Sequence, residues 1–213
     1  MLEYKRNQVE EAISHLLEAK ARQPTQGLRT KLKRLLEADR AFPSSKDANG
    51  VRFAFFGAEP PGRGFEIWFS SYEAFALLNG LRLMEHGWPQ GLAVSVMRSV
   101  RPNLEEQHKR ILLHDPKWLF DWEAIRKNAR EGDFAFDNQD PVLLTIVSGS
   151  AGPSGEPGPP PECQICQGPA AALTFFRQVS RGVGAMTMFE LTTLAHRLAL
   201  ELEKTEPRFR GRG

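Results

Sequence analysis

The chain has 213 residues, 41% hydrophobic and 25% charged, with a formal net charge of +2. This is an ordinary soluble composition, long enough for one or two domains with a real core, and so small a charge is no argument for nucleic acid by itself. Two cysteines three apart cannot build a disulfide framework, no run approaches the roughly 20 apolar residues that span a bilayer, and no signal peptide is read, so a cytoplasmic protein is expected.

The charge is unevenly spread. Residues 1–46 hold ten cations against six acids, a local +4, and Pro207–Gly213 holds three arginines and no acid. Both ends favour an anionic partner without naming it.

Val9, Ala12, Ile13, Leu16 and Leu17 recur at helical spacing and predict a first amphipathic helix over Tyr4–Glu18. Pro24 and Gly27 place a loop over Ala19–Gly27. A second helix, Leu28–Arg40, carries Leu28, Leu32, Leu35 and Leu36 on one face. At about 100° per residue its cations divide. Arg29, Lys33 and Arg40 fall on one edge of the apolar face, Lys31 and Arg34 on the other. After polar Ser44–Gly50 comes a candidate hairpin, Val51–Phe56 with Phe65–Phe69, closed by the turn Glu59–Gly64. One face of its aromatics (Phe53, Phe55, Phe56, Phe65, Trp68, Phe69) is expected to pack on the helices; stacking on unpaired bases is the alternative.

Ser70 and Glu73 fit a capping box for a third helix, Tyr72–His86, which is apolar around most of its circumference and predicted to be the central core helix. Gly87 stops it and Pro89 opens the next, Pro89–Val100. Pro102 separates that helix from Leu104–Leu113, and Asp115-Pro116 starts another through Trp118, Leu119, Trp122 and Ile125. Val142–Val147 is a short continuous apolar run and reads as a strand. Ser148–Pro169 is rich in Gly, Pro and Ser and reads as flexible or extended. Ala172–Val179 is ambiguous between strand and helix, and Thr187–Lys204 is predicted helical with Leu191, Leu194, Ala195, Leu198 and Leu202 on one face. The arginine tail is expected to be disordered.

The fold class that follows is mainly α with a small antiparallel β-hairpin. A winged helix-turn-helix-like domain (1–101) precedes a helical extension (102–147), a Gly/Pro-rich linker (148–169), a C-terminal helical segment within a short α/β region (170–206) and a basic tail (207–213).

Little in the chain points to catalysis. Cys163-Gln164-Ile165-Cys166 has metal-ligand spacing but supplies two of the four ligands that zinc takes. No second CxxC exists and His15, His86, His108, His114 and His196 are scattered, so a free dithiol in a linker is expected and no metal is assigned. His108 and His114, near Glu105, Glu106 and Asp115, read as a wet polar face rather than an acid–base pair. Ser148, Ser150 and Ser154 lack a nucleophile-elbow context. Gly149–Gly158 lacks the Lys-Ser/Thr end of a phosphate loop, and Arg181-Gly182-Val183-Gly184 reads as a turn. No catalytic residue and no cofactor are assigned.

The order helix, helix, hairpin, helix, helix resembles the MerR class of bacterial regulators. Gly27-Leu28-Arg29-Thr30 before a long charged helix is similar to that class's recognition-helix segment. Ile67-Trp68-Phe69-Ser70-Ser71-Tyr72-Glu73 is similar to its passage from wing to third helix, and Leu81–Gln90 to its third-to-fourth helix turn. The resemblance covers roughly residues 4–101. It implies a transcriptional regulator that binds double-stranded DNA as a dimer. Phosphate contacts would come from Lys31, Arg34, Arg52 and Arg63, giving salt-dependent, sequence-blind affinity. Arg29, Lys33 and Arg40 would meet base edges, where a bidentate arginine–guanine contact discriminates by about 1–3 kcal/mol. The alternative is a non-catalytic helical adaptor or assembly subunit, using Tyr72–Val100, Trp118, Trp122 and a proline-rich arm over Ser148–Pro169.

Overall fold

Amphipathic stripes and one nearly all-apolar helix organise the N-terminal half, and a strand buried on both faces organises the C-terminal part. A computed structural model describes residues 3–18, 23–43, 51–60, 66–115, 127, 141–149, 159–180 and 184–208. They belong to two compact units, Met1–Glu105 with Arg197–Gly213, and Glu106–His196. The described residues are mainly helical, with six helices and two small antiparallel sheets.

In the first unit, β1 (Glu3–Lys5) leads directly into α1 (Arg6–Leu17). Val9, Ala12 and Ile13 are buried on the face that the spacing predicts. α2 (Gln26–Ala41) begins where the Thr25 hydroxyl accepts the Leu28 N–H at 3.2 Å, an N-cap that satisfies one orphan amide. Its core stripe is Leu28, Leu32, Leu35, Leu36 and, unexpectedly, Asp39.

The expected hairpin is not formed as placed. Residues 51–56 have no strand, and β2 (Trp68–Ser70) pairs instead with β1, in the register Glu3↔Ser70, Tyr4↔Phe69 and Lys5↔Trp68. The apolar run 51–56 carries aromatic side chains for burial, and its backbone amides find side-chain partners rather than a strand. The aromatics therefore do not divide into one packed and one open face of a ribbon: Phe53, Phe55 and Phe56 are all buried, as is Phe69, while Trp68 is 45% exposed.

Ser70 and Glu73 form the predicted capping box at the start of α3 (Ser71–Glu85). Ser70 N–H donates to Glu73 Oε2 at 2.6 Å and Glu73 N–H to Ser70 Oγ at 3.2 Å. α3 ends in a Schellman motif on Gly87 at φ 86°, with Trp88 N–H on the Leu83 carbonyl and Gly87 N–H on that of Met84. Gly80 lets α3 approach its neighbours closely. A Cβ there would lie 2.7 Å from the Phe55 ring and 3.0 Å from Leu35 Cδ2.

Pro102 does not end a helix. α4 is continuous over Gln90–Leu113, with the proline inside it. An interior proline costs about 3 kcal/mol. Ala93, Met97, Val100 and Leu104 are buried in one stripe that crosses the proline, and burying large apolar side chains at about 1.5–3 kcal/mol each outweighs it. The helix expected after Pro116, with Trp118 and Trp122, lies outside the described residues.

The second unit is built on β3 (Val142–Gly149), the centre of a sheet ordered β4-β3-β5, with β4 (Glu162–Gln167) and β5 (Gly184–Glu190) both antiparallel to it. Val142–Val147 are all buried, as a continuous apolar run requires of a strand with no solvent face. α5 (Gly168–Val179) resolves the ambiguity at 172–179 in favour of helix. It supplies Ala172 and Phe175 to a core with Leu143, Val147 and Cys166.

Two expectations are corrected here. Residues 162–167 are a strand rather than linker, and 184–190 are a strand, so the last helix, α6, is Thr192–Lys204. Both strands depend on pairing with β3, which no local pattern encodes. Leu191, Ala195, Leu198 and Leu202 are the buried face of α6, as predicted, while Leu194 is half-buried. Beyond α6, the Gln8 amide donates to the Thr205 carbonyl at 2.9 Å and Arg208 pairs with Glu11 at 3.0 Å, tying 205–208 to α1.

Among the described residues, no helix is long and apolar enough to cross a membrane.

Candidate nucleic-acid interface

Asp39 lies three residues after Leu36 and four after Leu35, so helical spacing puts its carboxylate on the apolar stripe of α2. It is fully buried and fully used. Oδ1 and Oδ2 accept from Ala54 N–H at 3.0 and 2.9 Å, Oδ2 accepts from Phe55 N–H at 2.9 Å, and Oδ1 from Arg98 Nε at 2.9 Å. Arg98, from α4, is 3% exposed and also donates through Nη2 to the Asp39 carbonyl. Its guanidinium lies over the rings of Phe42 at 4.8 Å and Phe53 at 5.9 Å.

One turn further along α4, Arg101 reaches the same segment from the other side. Its Nη1 donates to the Phe53 and Phe56 carbonyls at 2.5 and 2.6 Å. Its guanidinium lies 5.5 Å from the Tyr72 ring, whose phenol is pushed above its ordinary range by burial, against the opposing pull of Arg101. A stretch without regular secondary structure is thus fixed at four backbone groups by side chains of α2 and α4. Phe53 and Phe56 meet edge-on at 5.9 Å inside this frame.

Two of the predicted DNA-contacting residues are seated on that ring pair. Arg40 of α2 lies over Phe56 at 5.2 Å, and Arg52 over Phe53 at 5.1 Å. Arg52 also meets both Glu59 oxygens, at 3.0 and 3.2 Å. Along α2, Lys31, Lys33, Arg34 and Arg40 are exposed and Arg29 is partly so. Three of the helix's cations have acid partners: Arg29 with Glu10 at 3.8 Å, Lys31 with Glu85 at 3.4 Å and Lys33 with Glu37 at 3.7 Å. Arg34 and Arg40 have no ion pair with a described residue. The structure therefore joins Arg40 and Arg52 through the Phe53–Phe56 pair and leaves the two edges of α2 facing solvent. Arg63 lies outside the described residues, as do Phe65 and most of 148–161.

The other candidates change character. Cys163 and Cys166 are on strand β4, where positions three apart point to opposite faces. Cys166 is in the core beside Leu143 and Cys163 pairs with Ile146, so the two thiols are not an exposed dithiol and do not face one ion together. No group of three or more metal-ligating side chains occurs among the described residues. His108, expected on a wet face, is 4% exposed on α4, whereas His114 is exposed. Burial holds the His196 imidazole below its ordinary value, with His114 acting in the same direction.

Asp39, Arg98 and Arg101 are the residues that the sequence reading passed over. The signal was present for the first: a carboxylate on a leucine stripe must be buried and therefore paired. Compared with known proteins, the sequence matches no family model and no curated protein.

Proposed function

We propose that the protein binds duplex DNA, with α2 as the helix laid against the groove, and acts as a transcriptional regulator. What supports this above all is the sorting of charge on α2. The helix has five cations and two acids, Glu37 and Asp39. Burial against Arg98 removes Asp39 from the surface, so Glu37 is the helix's only solvent-facing acid. Arg29, Lys33 and Arg40 then line one flank over twelve residues, about 16 Å of helix. Two acids reach α2 from neighbouring helices: Glu85 meets Lys31 at the surface, where an exposed ion pair contributes only about 0–1 kcal/mol and a phosphate can replace it, whereas Glu10 beside Arg29 is largely buried.

Of the MerR-like pattern, this proposal uses the α1–loop–α2 pair and the passage into α3. It does not use a hairpin wing. Its place beside α2 is taken by the segment 51–59, which offers Arg52 next to Arg40.

Fluorescence anisotropy of the full chain on a mixed-sequence duplex, across a salt series, tests it. Log affinity should fall steeply with log salt, by about 0.9 per phosphate neutralised. The combined Lys31→Ala and Arg34→Ala variant should reduce that slope by about 2. Absence of duplex binding at low salt, or a slope that the double variant leaves unchanged, removes the DNA reading.

A further inference from the structure

The segment 51–59 borders an open cleft of about 340 Å³, lined by Val51, Arg52, Phe53, Phe56, Ala58 and Glu59 together with Gly57 and Arg101. We infer that this cleft is a binding site for a small aromatic carboxylate, its ring against Val51, Ala58 and the small part of Phe53 and Phe56 that is exposed, and its carboxylate on Arg52. This holds whether or not α2 contacts DNA.

The size comes first. Ligand sites run from about 300 Å³ upward, so this cleft suits a one- or two-ring molecule. Its walls are preformed. Asp39 holds the amides of Ala54 and Phe55, and Arg101 holds the carbonyls of Phe53 and Phe56. Phe55 is fully buried and fits against Gly80 so closely that a Cβ there would clash. A cleft fixed from behind in this way loses little conformational freedom when filled.

The lining chemistry names the ligand class. Its apolar part is Val51, Ala58 and what Phe53 and Phe56 leave exposed, 8% and 5%; its charged part is two arginines and one carboxylate. Arg52 is stacked on Phe53 and forked onto both oxygens of Glu59, seven residues along the same segment. Arginine's planar fork matches a carboxylate bidentately. Glu59 is therefore an internal occupant of the position that a ligand carboxylate would take. The pair is more than half exposed on both sides, so it contributes little and exchanges readily. The stacked guanidinium keeps its orientation through the exchange.

Isothermal titration of the full chain with 2-naphthoate, and with uncharged 2-naphthalenemethanol as control, tests the inference. Saturable naphthoate binding is expected, with the alcohol about tenfold weaker or more, the loss of one charge-assisted contact. Arg52→Gln should weaken naphthoate to the level of the alcohol. Glu59→Gln should tighten it severalfold, because the competing carboxylate is gone; a merely structural pair would give losses in both variants. Both side chains are exposed, and unchanged thermal unfolding of each variant keeps the comparison valid. No saturable naphthoate binding, naphthoate no tighter than the alcohol, or no response to Arg52→Gln overturns the assignment.

Discussion

Asp39–Arg98 and Lys33–Glu37 are the same acid–base chemistry in two surroundings. The first pair is buried, with side chains 0% and 4% exposed, and each partner also binds backbone. The second is 64% and 58% exposed at 3.7 Å, one helical turn apart. The contrast teaches what each is for. A buried charge must be fully partnered, and its partners are then held in one arrangement; here they hold the segment 51–59 against α2 and α4. An exposed pair holds nothing firmly, so its cation remains available to an anionic partner.

Breaking the buried side of this contrast should have the largest effect. Asp39→Ala leaves Arg98 charged in the interior and two backbone amides without acceptors, and should destabilise the chain by about 3–5 kcal/mol in urea unfolding. A loss below about 1 kcal/mol would place the pair with the surface ones. Gly80→Ala tests the same frame by sterics. The new methyl meets the Phe55 ring, so a loss of about 1–3 kcal/mol is expected in the same measurement. Thr25→Ala removes the cap that starts α2 and should cost about 1 kcal/mol. On the exposed side, Lys31→Ala and Lys33→Ala should each change stability by no more than about 0.5 kcal/mol. Lys31→Ala should still lower the salt slope of duplex binding, by about 0.9, and Lys33→Ala should relax sequence preference. A stability loss without a change in slope would reverse the roles given to the two kinds of pair.

The helices of the first unit were legible because their signals are local. The Ser70–Glu73 box and Gly87 mark ends within four residues of the bonds they make, and the leucine spacing of α2 gives its buried face directly, while Thr25 caps α2 from inside the stretch expected to be loop. Pro102 misled because the rule that proline stops a helix is also local, whereas the stripe from Ala93 to Leu104 gains its burial from the rest of the fold. The candidate surface was partly legible. Which cations lie on which edge of α2 follows from 100° per residue, but their partners Glu10 and Glu85 come from other helices.

By itself, the sequence determined the buried faces of α1 and α2, the cap that starts α3 and the glycine that stops it, and that Val142–Val147 is a strand. Tertiary structure alone decided that Trp68–Ser70 pairs with Glu3–Lys5, that 162–167 and 184–190 flank β3, and that Asp39 meets Arg98 fifty-nine residues away. The reason is the reach of the bonds. A helix satisfies its backbone four residues along the chain, so its signature is written beside it, while a strand or a buried charge is satisfied only by groups that folding brings in from a distance.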